Sequence, residues 1–126
     1  MLEKNKKFDL EERLINFAVL IIRAAESLPK TVAGKHIGGQ IIRSGTSPAA
    51  NYGEAQGAES RADFVHKMKI CLKELRETGL WLLMIVRADL MKPALNLESL
   101  MDENNEFIFI FVTSIKTSKQ KDNKTS

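Results

Sequence analysis

The segment from Ser60 to Met91 carries a long helical repeat of apolar residues, and this repeat limits the fold more than any other feature. A helix of these 32 residues would be about 48 Å long. Ser60 is the predicted N-cap, because Asp63 follows three residues later as in a capping box, and Lys92-Pro93 is the predicted end. The apolar stripe comprises Phe64, Met68, Cys71, Leu75, Leu82 and Val86, widened by Trp81 and Ile85.

Three further segments have helical features. Residues 9–28 place apolar side chains at spacings of three and four, with Asp9 as the predicted cap and Pro29 after the end. This stripe comprises Leu10, Leu14, Phe17, Ile21, Ala25 and Leu28. Residues 31–57 and 97–116 are the predicted second and fourth helices. Four long helices with short connections predict an all-α fold, an antiparallel up-down four-helix bundle.

The second predicted helix, residues 31–57, is unusual because it holds six of the seven glycines. A glycine inside a helix costs about 1 kcal/mol relative to alanine, so propensity alone favours a loop. The helical spacing of Ile37 and Ile41 favours a helix. Small residues would then let another backbone approach closely, namely Gly45, Ala49 or Ala50, Gly53 and Gly57. Pro48 leaves two alternatives, a bent helix or a new helix capped by Ser47.

The run Phe-Ile-Phe-Ile-Phe-Val at residues 107–112 fits a strand by β-propensity. A single strand would leave its backbone donors and acceptors unpaired, and no partner strand is evident in the sequence. A helical face accounts for the same segment and comprises Leu97, Leu100, Met101, Ile108, Phe111, Val112 and Ile115. We therefore predict a helix.

The net charge of +3 is unevenly distributed. Residues 1–7 carry +2 and residues 116–126 carry +3, whereas residues 8–115 carry −2. We expect residues 1–8 and 117–126 to be flexible basic ends that aid solubility or contact phosphate. No secretory signal is recognisable, and no apolar run approaches the roughly 18 residues that span a bilayer, so we expect a cytoplasmic protein without membrane contact.

The sequence contains no recognisable catalytic motif. His36 and His66 are the only histidines, and a di-metal carboxylate bundle would need two Glu-x-x-His pairs that are missing. The glycines around Lys35 do not form the phosphate-loop pattern G-x-x-x-x-G-K-[ST], and no strand precedes them. Cys71, the only cysteine, lies on an apolar stripe and is predicted to be a core residue. We predict no enzyme activity, catalytic residue, metal or cofactor.

Cations form a stripe on the third predicted helix, because His66, Lys69, Lys73 and Arg76 follow at spacings of three, four and three. One hypothesis is that this stripe and the neighbouring cations form a surface that contacts phosphate groups. The predicted contact residues are Lys35, Arg43, Arg61, Lys67, Lys69, Lys73 and Arg76. The alternative is a solvated helix face with local pairs such as Lys73 with Glu77.

Two further features suggest assembly. Ile15, Val19 and Ile22 form a second apolar stripe on the first predicted helix, which indicates either deep burial or a subunit interface. Glu74 and Glu77, together with Glu54, either face water or pair inside the bundle with Arg43 or Arg76, where such pairs can fix register.

The residues now described resemble a known family, the four-helix bundle proteins of the 23S rRNA intervening-sequence type. The resemblance rests on Arg43-Ser44, Ser47, Ala50-Asn51, Glu54, Ser60-x-x-Asp63-Phe64, Leu72-x-Glu74-Leu75-x-Glu77-Thr78 and Trp81, and it covers about residues 8–118. Departures are Gly45, Pro48 and Gly53. The family is similar to the accessory protein of diversity-generating retroelements, which implies a homopentamer that binds nucleic acid and a reverse transcriptase.

Three functions follow as hypotheses. The first is a non-enzymatic homo-oligomer, a pentamer by resemblance, that binds RNA or DNA. The second is a protein-interaction scaffold, whose partner is a protein of a neighbouring gene such as a reverse transcriptase. The third, a metal-dependent enzyme built on Asp63, His66, Glu54 and Glu74, is the least favoured.

Overall fold

Four helices make up the described chain. The computed structural model describes the backbone of residues 2–91 and 95–125, and the side chains of residues 10–91 and 97–121. The helices are α1, Leu2–Glu26; α2, Val32–Gln56; α3, Arg61–Arg87; and α4, Leu95–Thr125. Each packs against the next, and α4 returns to α1. The predicted all-α antiparallel bundle is therefore confirmed, and the described ranges contain no strand.

The core is formed mainly by the predicted apolar stripes of the four helices, although Val86 of the α3 stripe is 38% exposed and the buried Phe107 of α4 was not in the predicted face. Its largest fully buried side chains include Phe17 of α1, Ile41 of α2, Leu75 of α3 and Phe107 of α4. Phe17 meets Phe107 edge to face with ring centroids 5.4 Å apart, and Tyr52 meets Phe111 in the same way at 5.9 Å. Cys71 is fully buried in this core, as predicted.

The glycine-rich segment is one helix. Thr31 caps α2, since its side chain accepts a hydrogen bond from the Gly34 amide at 3.1 Å. The helix runs through Pro48 without interruption, so no new helix begins at Ser47. The Ser47 hydroxyl instead accepts a hydrogen bond from Asn51 Nδ2 at 2.8 Å.

Two glycines of α2 permit close packing. A Cβ at Gly45 would lie 2.7 Å from the Ile21 side chain, so α1 approaches α2 more closely than alanine would allow. A Cβ at Gly34 would lie 1.8 Å from the carbonyl oxygen of Pro29. Gly53, in contrast, has no atom within 4 Å of that position, so the predicted close approach does not hold there within one subunit.

The third helix begins as predicted and ends earlier. Ser60 is its N-cap, and the Ser60 side chain accepts from the Asp63 amide at 3.1 Å. The helix ends at Arg87 rather than Met91, because Asp89 has a φ of 55° and leaves the right-handed helical region. The predicted stop at Lys92-Pro93 involves positions outside the described residues.

The first and fourth helices extend beyond their predicted bounds. α1 begins at Leu2, so Asp9 lies inside the helix and is not its cap. α4 continues to Thr125 because no proline or glycine interrupts residues 95–125. Helix therefore extends into both ends that the sequence suggested would be flexible.

The run at residues 107–112 is helical, as predicted, but its buried face differs. Phe107 and Phe111 are fully buried, whereas Phe109 between them is 72% exposed. A strand would have placed all three on one face, and a helix separates them. Val112, predicted to be in the apolar face, is an exposed side chain.

Within the described ranges, no helix combines the length and apolar character that a bilayer crossing requires.

Candidate nucleic-acid interface

Several of the residues that carry the family resemblance lie where α2 packs on α3. The Arg43 guanidinium donates to Glu74 Oε2 at 2.9 Å, and it also donates to Glu77. The Glu74 side chain is only 12% exposed, whereas that of Arg43 is 49% exposed. One planar guanidinium thus joins two carboxylates one helical turn apart. Of the alternatives for the Glu residues of α3, pairing with Arg43 is therefore the one observed, at a partly exposed edge of the bundle.

Further polar contacts extend this junction. Trp81 Nε1 donates to Glu77 Oε2 at 3.0 Å. The hydroxyls of Ser44 and Thr78 are both fully buried and lie 2.9 Å apart, within hydrogen-bond distance. The contacts of Arg43 with Glu74 and Glu77 and of Ser44 with Thr78 link α2 to α3, and they account for the spacing of these residues in the sequence.

Two of the predicted phosphate-contact residues are engaged within the chain. Arg43 is held by Glu74 and Glu77, and Lys67 Nζ lies 3.2 Å from Glu54 Oε1. Their charges are balanced locally by carboxylates, so neither residue is the first choice for a phosphate contact.

Three other predicted residues are exposed on the outer face of α3. Lys69, Lys73 and Arg76 are spaced by four and three residues, so they point in similar directions. Their side chains form no ion pair with any described residue. Glu74 and Glu77 are not available to them, because both carboxylates bind Arg43 on the side of α3 that faces α2.

Cations of α4 join this surface. Lys116 and Lys119 are exposed, three residues apart, and α4 packs antiparallel beside α3. The side chain of Lys119 lowers the pKa of Lys69, through a hydrogen bond for which one of the two amines must be neutral and through like-charge repulsion. From Phe107 to Lys121, α4 contains no acidic residue.

These five side chains, Lys69, Lys73, Arg76, Lys116 and Lys119, form what we term the α3–α4 cationic face. The sequence predicted Lys116 to be the last residue of the fourth helix and Lys119 to lie in the flexible basic end, so neither was predicted to lie beside the cations of α3. Two features of the sequence could have indicated this position, the three-residue spacing of Lys116 and Lys119 and the absence of proline and glycine from residues 95–125.

The remaining predicted contact residues lie at the ends of the bundle. Arg61 lines a cleft between the start of α3 and the last turns of α4, together with Phe64, Ser118 and Lys121. Lys35 lies in the first turn of α2, more than two helical turns from Arg43, and thus toward the opposite end. Lys35 is exposed but not part of the cationic face.

The structure does not bring together the side chains that a metal enzyme would need. Among the described residues, no group of three His, Cys, Asp or Glu side chains has the geometry to hold a metal ion. The carboxylates of Glu54 and Glu74 bind cations instead, since Glu54 accepts from Lys67 and Glu74 accepts from Arg43. Burial raises the pKa of the Cys71 thiol to about 12, which suppresses the thiolate that a nucleophile requires.

The second apolar stripe of α1 lies on the surface. The exposed fractions of Ile15, Val19 and Ile22 are 42%, 38% and 39%. A contiguous set of half-exposed aliphatic side chains is typical of an interaction surface. Of the two alternatives for this stripe, deep burial within one subunit is therefore excluded.

A comparison with protein-family models identifies the family of this chain. A model described as 23S rRNA-intervening sequence protein matches residues 6–111. The chain belongs to this family. Its match includes α2 and α3 in full, and therefore the whole Arg43–Glu74 junction.

A solved member supports the assignment. The crystal structure of a protein of unknown function from the S23 ribosomal protein family of Bacteroides thetaiotaomicron has a TM-score of 0.77. The two chains are 34% identical, and the match covers 88% of this chain and 98% of that one. The comparison with curated proteins gives no significant match.

Proposed function

We propose that this family member is a non-enzymatic, homo-oligomeric protein that binds RNA or DNA through the α3–α4 cationic face. The observation that carries the proposal is a set of five exposed cations on two adjoining helices, none of which forms an ion pair with a described residue. Neighbouring cations repel one another, and a polyanion placed across them would relieve this repulsion.

The shape of the face favours a polymer of phosphates over one small anion. Lys69 and Arg76 are seven residues apart on α3, which separates their backbones by about 10 Å along the helix. Lys116 and Lys119 extend the charge onto a second helix. A row of this kind fits successive phosphates of a nucleic-acid strand.

Charge reversal on this face tests the proposal. Lys69→Glu combined with Lys73→Glu should abolish retention of structured RNA and duplex DNA in filter binding at low salt. Arg23→Glu combined with Lys30→Glu is the matched control, because both side chains are exposed, lie elsewhere, and change the net charge equally. Absence of retention by the unmodified protein at low salt would refute nucleic-acid binding. Equal loss in both double variants would refute the assignment to this face.

Homo-oligomerisation is proposed from the α1 surface. Ile15, Val19 and Ile22 present a half-exposed aliphatic stripe that a second copy of the chain would cover. The resemblance to the retroelement accessory protein supports a pentamer as the assembly.

The same exposed stripe favours a second candidate function, a protein-interaction scaffold for a product of a neighbouring gene such as a reverse transcriptase. In that case the partner binds to apolar surface, and Lys69→Glu with Lys73→Glu leaves its capture intact. A pulldown with and without nuclease separates the two functions, because a nucleic-acid bridge is lost after digestion and a direct protein contact persists.

A further inference from the structure

The outer surface of α4 presents an aromatic ring to solvent. Phe109 is 72% exposed and is the one aromatic side chain among the described residues that is exposed to this degree. Its neighbours Phe107 and Phe111 are fully buried and supply the packing of this part of α4. The Phe109 ring is therefore not required by the core.

Phe109 lies in line with the cations of α4. Phe109, Val112, Lys116 and Lys119 follow at spacings of three, four and three, so they share one face of the helix. The same spacing relates His66, Lys69, Lys73 and Arg76 on α3. Because α3 and α4 pack against each other, the two rows lie on neighbouring helices.

The register of the two helices places Phe109 level with Lys73. Asn104 Nδ2 donates to the Leu75 carbonyl at 2.9 Å and lies 3.0 Å from the Cβ position of Gly79. Asn104 is therefore level with residues 75–79 of α3. Because the helices are antiparallel and rise equally per residue, Phe109 lies level with residues 70–74.

We propose that Phe109 is a stacking platform for an unpaired base of a single-stranded polynucleotide whose phosphates contact the α3–α4 cationic face. The inference rests on the proposed function and deepens it by naming the substrate class. A flat exposed ring beside a row of cations is the arrangement by which proteins bind single strands, because every base has an aromatic face and every linkage a phosphate. Duplexes do not present free base faces to such a ring.

The charges around Phe109 argue against an apolar protein partner at this position. Packing of such a partner over the ring would remove water from Lys73 and Lys116, and neither cation forms an ion pair with a described residue. The carboxylate of Glu106, one turn before Phe109 on α4, pairs instead with Arg13 at 3.0 Å. A nucleic-acid strand supplies the balancing charge itself.

Fluorescence anisotropy with labelled oligonucleotides of about 12 nucleotides tests the proposal. The probes are single-stranded RNA, single-stranded DNA, duplexes of the same sequence, and an abasic strand of equal length. Phe109→Ala should weaken single-strand binding about 5-fold or more and leave duplex binding unchanged. Phe109→Trp should retain the affinity for single strands. Leu80→Ala, which removes an exposed apolar side chain from α3, is the control and should leave binding unchanged. The RNA and DNA arms establish which polymer is preferred.

The abasic strand isolates the stacking contribution, because it carries the phosphates without the bases. The unmodified protein should bind it no more tightly than Phe109→Ala binds the normal strand. If Phe109→Ala binds single strands as tightly as the unmodified protein, the stacking role is refuted while phosphate binding stands. Loss of self-assembly in Phe109→Ala with unchanged affinity would likewise refute it and assign the ring to a protein interface. If the unmodified protein binds none of the probes at low salt, both the inference and the proposed function fail.

Discussion

Arg43 of α2 donates to Glu74 of α3 at 2.9 Å, and the same guanidinium reaches Glu77 one turn further along. The contact joins residues 31 positions apart, and the Glu74 carboxylate is largely buried. A contact of this kind, specific in position and partly buried, is suited to fixing the lengthwise register of α2 against α3.

A double-mutant cycle measures this contact. Arg43→Ala should lower the free energy of unfolding by about 1–2 kcal/mol, since a partly buried charged hydrogen bond is lost but the arginine itself is half exposed. Arg76→Ala, on the outer face of α3 and without an ion-pair partner among the described residues, should change it by about 0.5 kcal/mol or less. Denaturant unfolding of Arg43→Ala, Glu74→Ala and the double variant gives the coupling energy. A coupling energy of zero would contradict a role in register.

Glycine substitutions in α2 should have opposite effects at two positions. Gly45→Ala should destabilise the fold by about 1–2 kcal/mol, because its Cβ would lie 2.7 Å from Ile21. Gly53→Ala should stabilise it by about 0.5–1 kcal/mol, since the position is open and alanine favours helix. Thermal and denaturant unfolding compare the two. Stabilisation by both substitutions would show that α1 and α2 are not in close contact at Gly45.

The fold was predictable because the apolar repeats extend over long segments, and because two of the three prolines lie between these segments. The ends of the helices were less predictable. Met91 fits the apolar stripe of α3, but the helix ends at Arg87 because Asp89 has a left-handed backbone conformation. Such a local conformation depends on the following chain and is not encoded in periodicity.

The candidate site was only half predictable. Spacing along α3 identified Lys69, Lys73 and Arg76, because one helix determines their relative directions. Which cations are balanced depends on the neighbouring helices, so the pairing of Lys67 with Glu54 required the structure. The contribution of Lys119 likewise depends on the register between α3 and α4.

Stability should fall at high pH through the Cys71 thiol. Burial raises its folded pKa from 9.0 to about 12, so between these values the unfolded chain loses a proton that the folded chain keeps. The free energy of unfolding therefore decreases by about 1 kcal/mol per pH unit above pH 9, where the unfolded state binds fewer protons. Tyr52, whose pKa burial also raises, acts in the same direction above pH 10. Urea unfolding of Cys71→Ala should show a shallower pH dependence; an identical dependence would contradict thiol burial.

Assembly should depend on the exposed stripe of α1. Ile15→Asp combined with Val19→Asp should convert the oligomer to a monomer, because two carboxylates would be buried in its apolar interface. Val32→Asp, at an isolated exposed side chain, is the control and should leave assembly unchanged. Sedimentation velocity measures both variants. A monomeric unmodified protein, or an oligomer that survives the double substitution, would contradict this interface.

The salt dependence of RNA binding tests the central claim most directly. Five phosphate contacts through the α3–α4 cationic face predict a slope of about −3.5 to −4.5 in a plot of log affinity against log salt concentration. Lys116→Gln with Lys119→Gln should reduce the slope by about 1.4–1.8, since two contacts are removed. Fluorescence anisotropy of a labelled RNA over a salt series gives both slopes. Binding that is independent of salt, or a slope unchanged by the double substitution, would contradict the account.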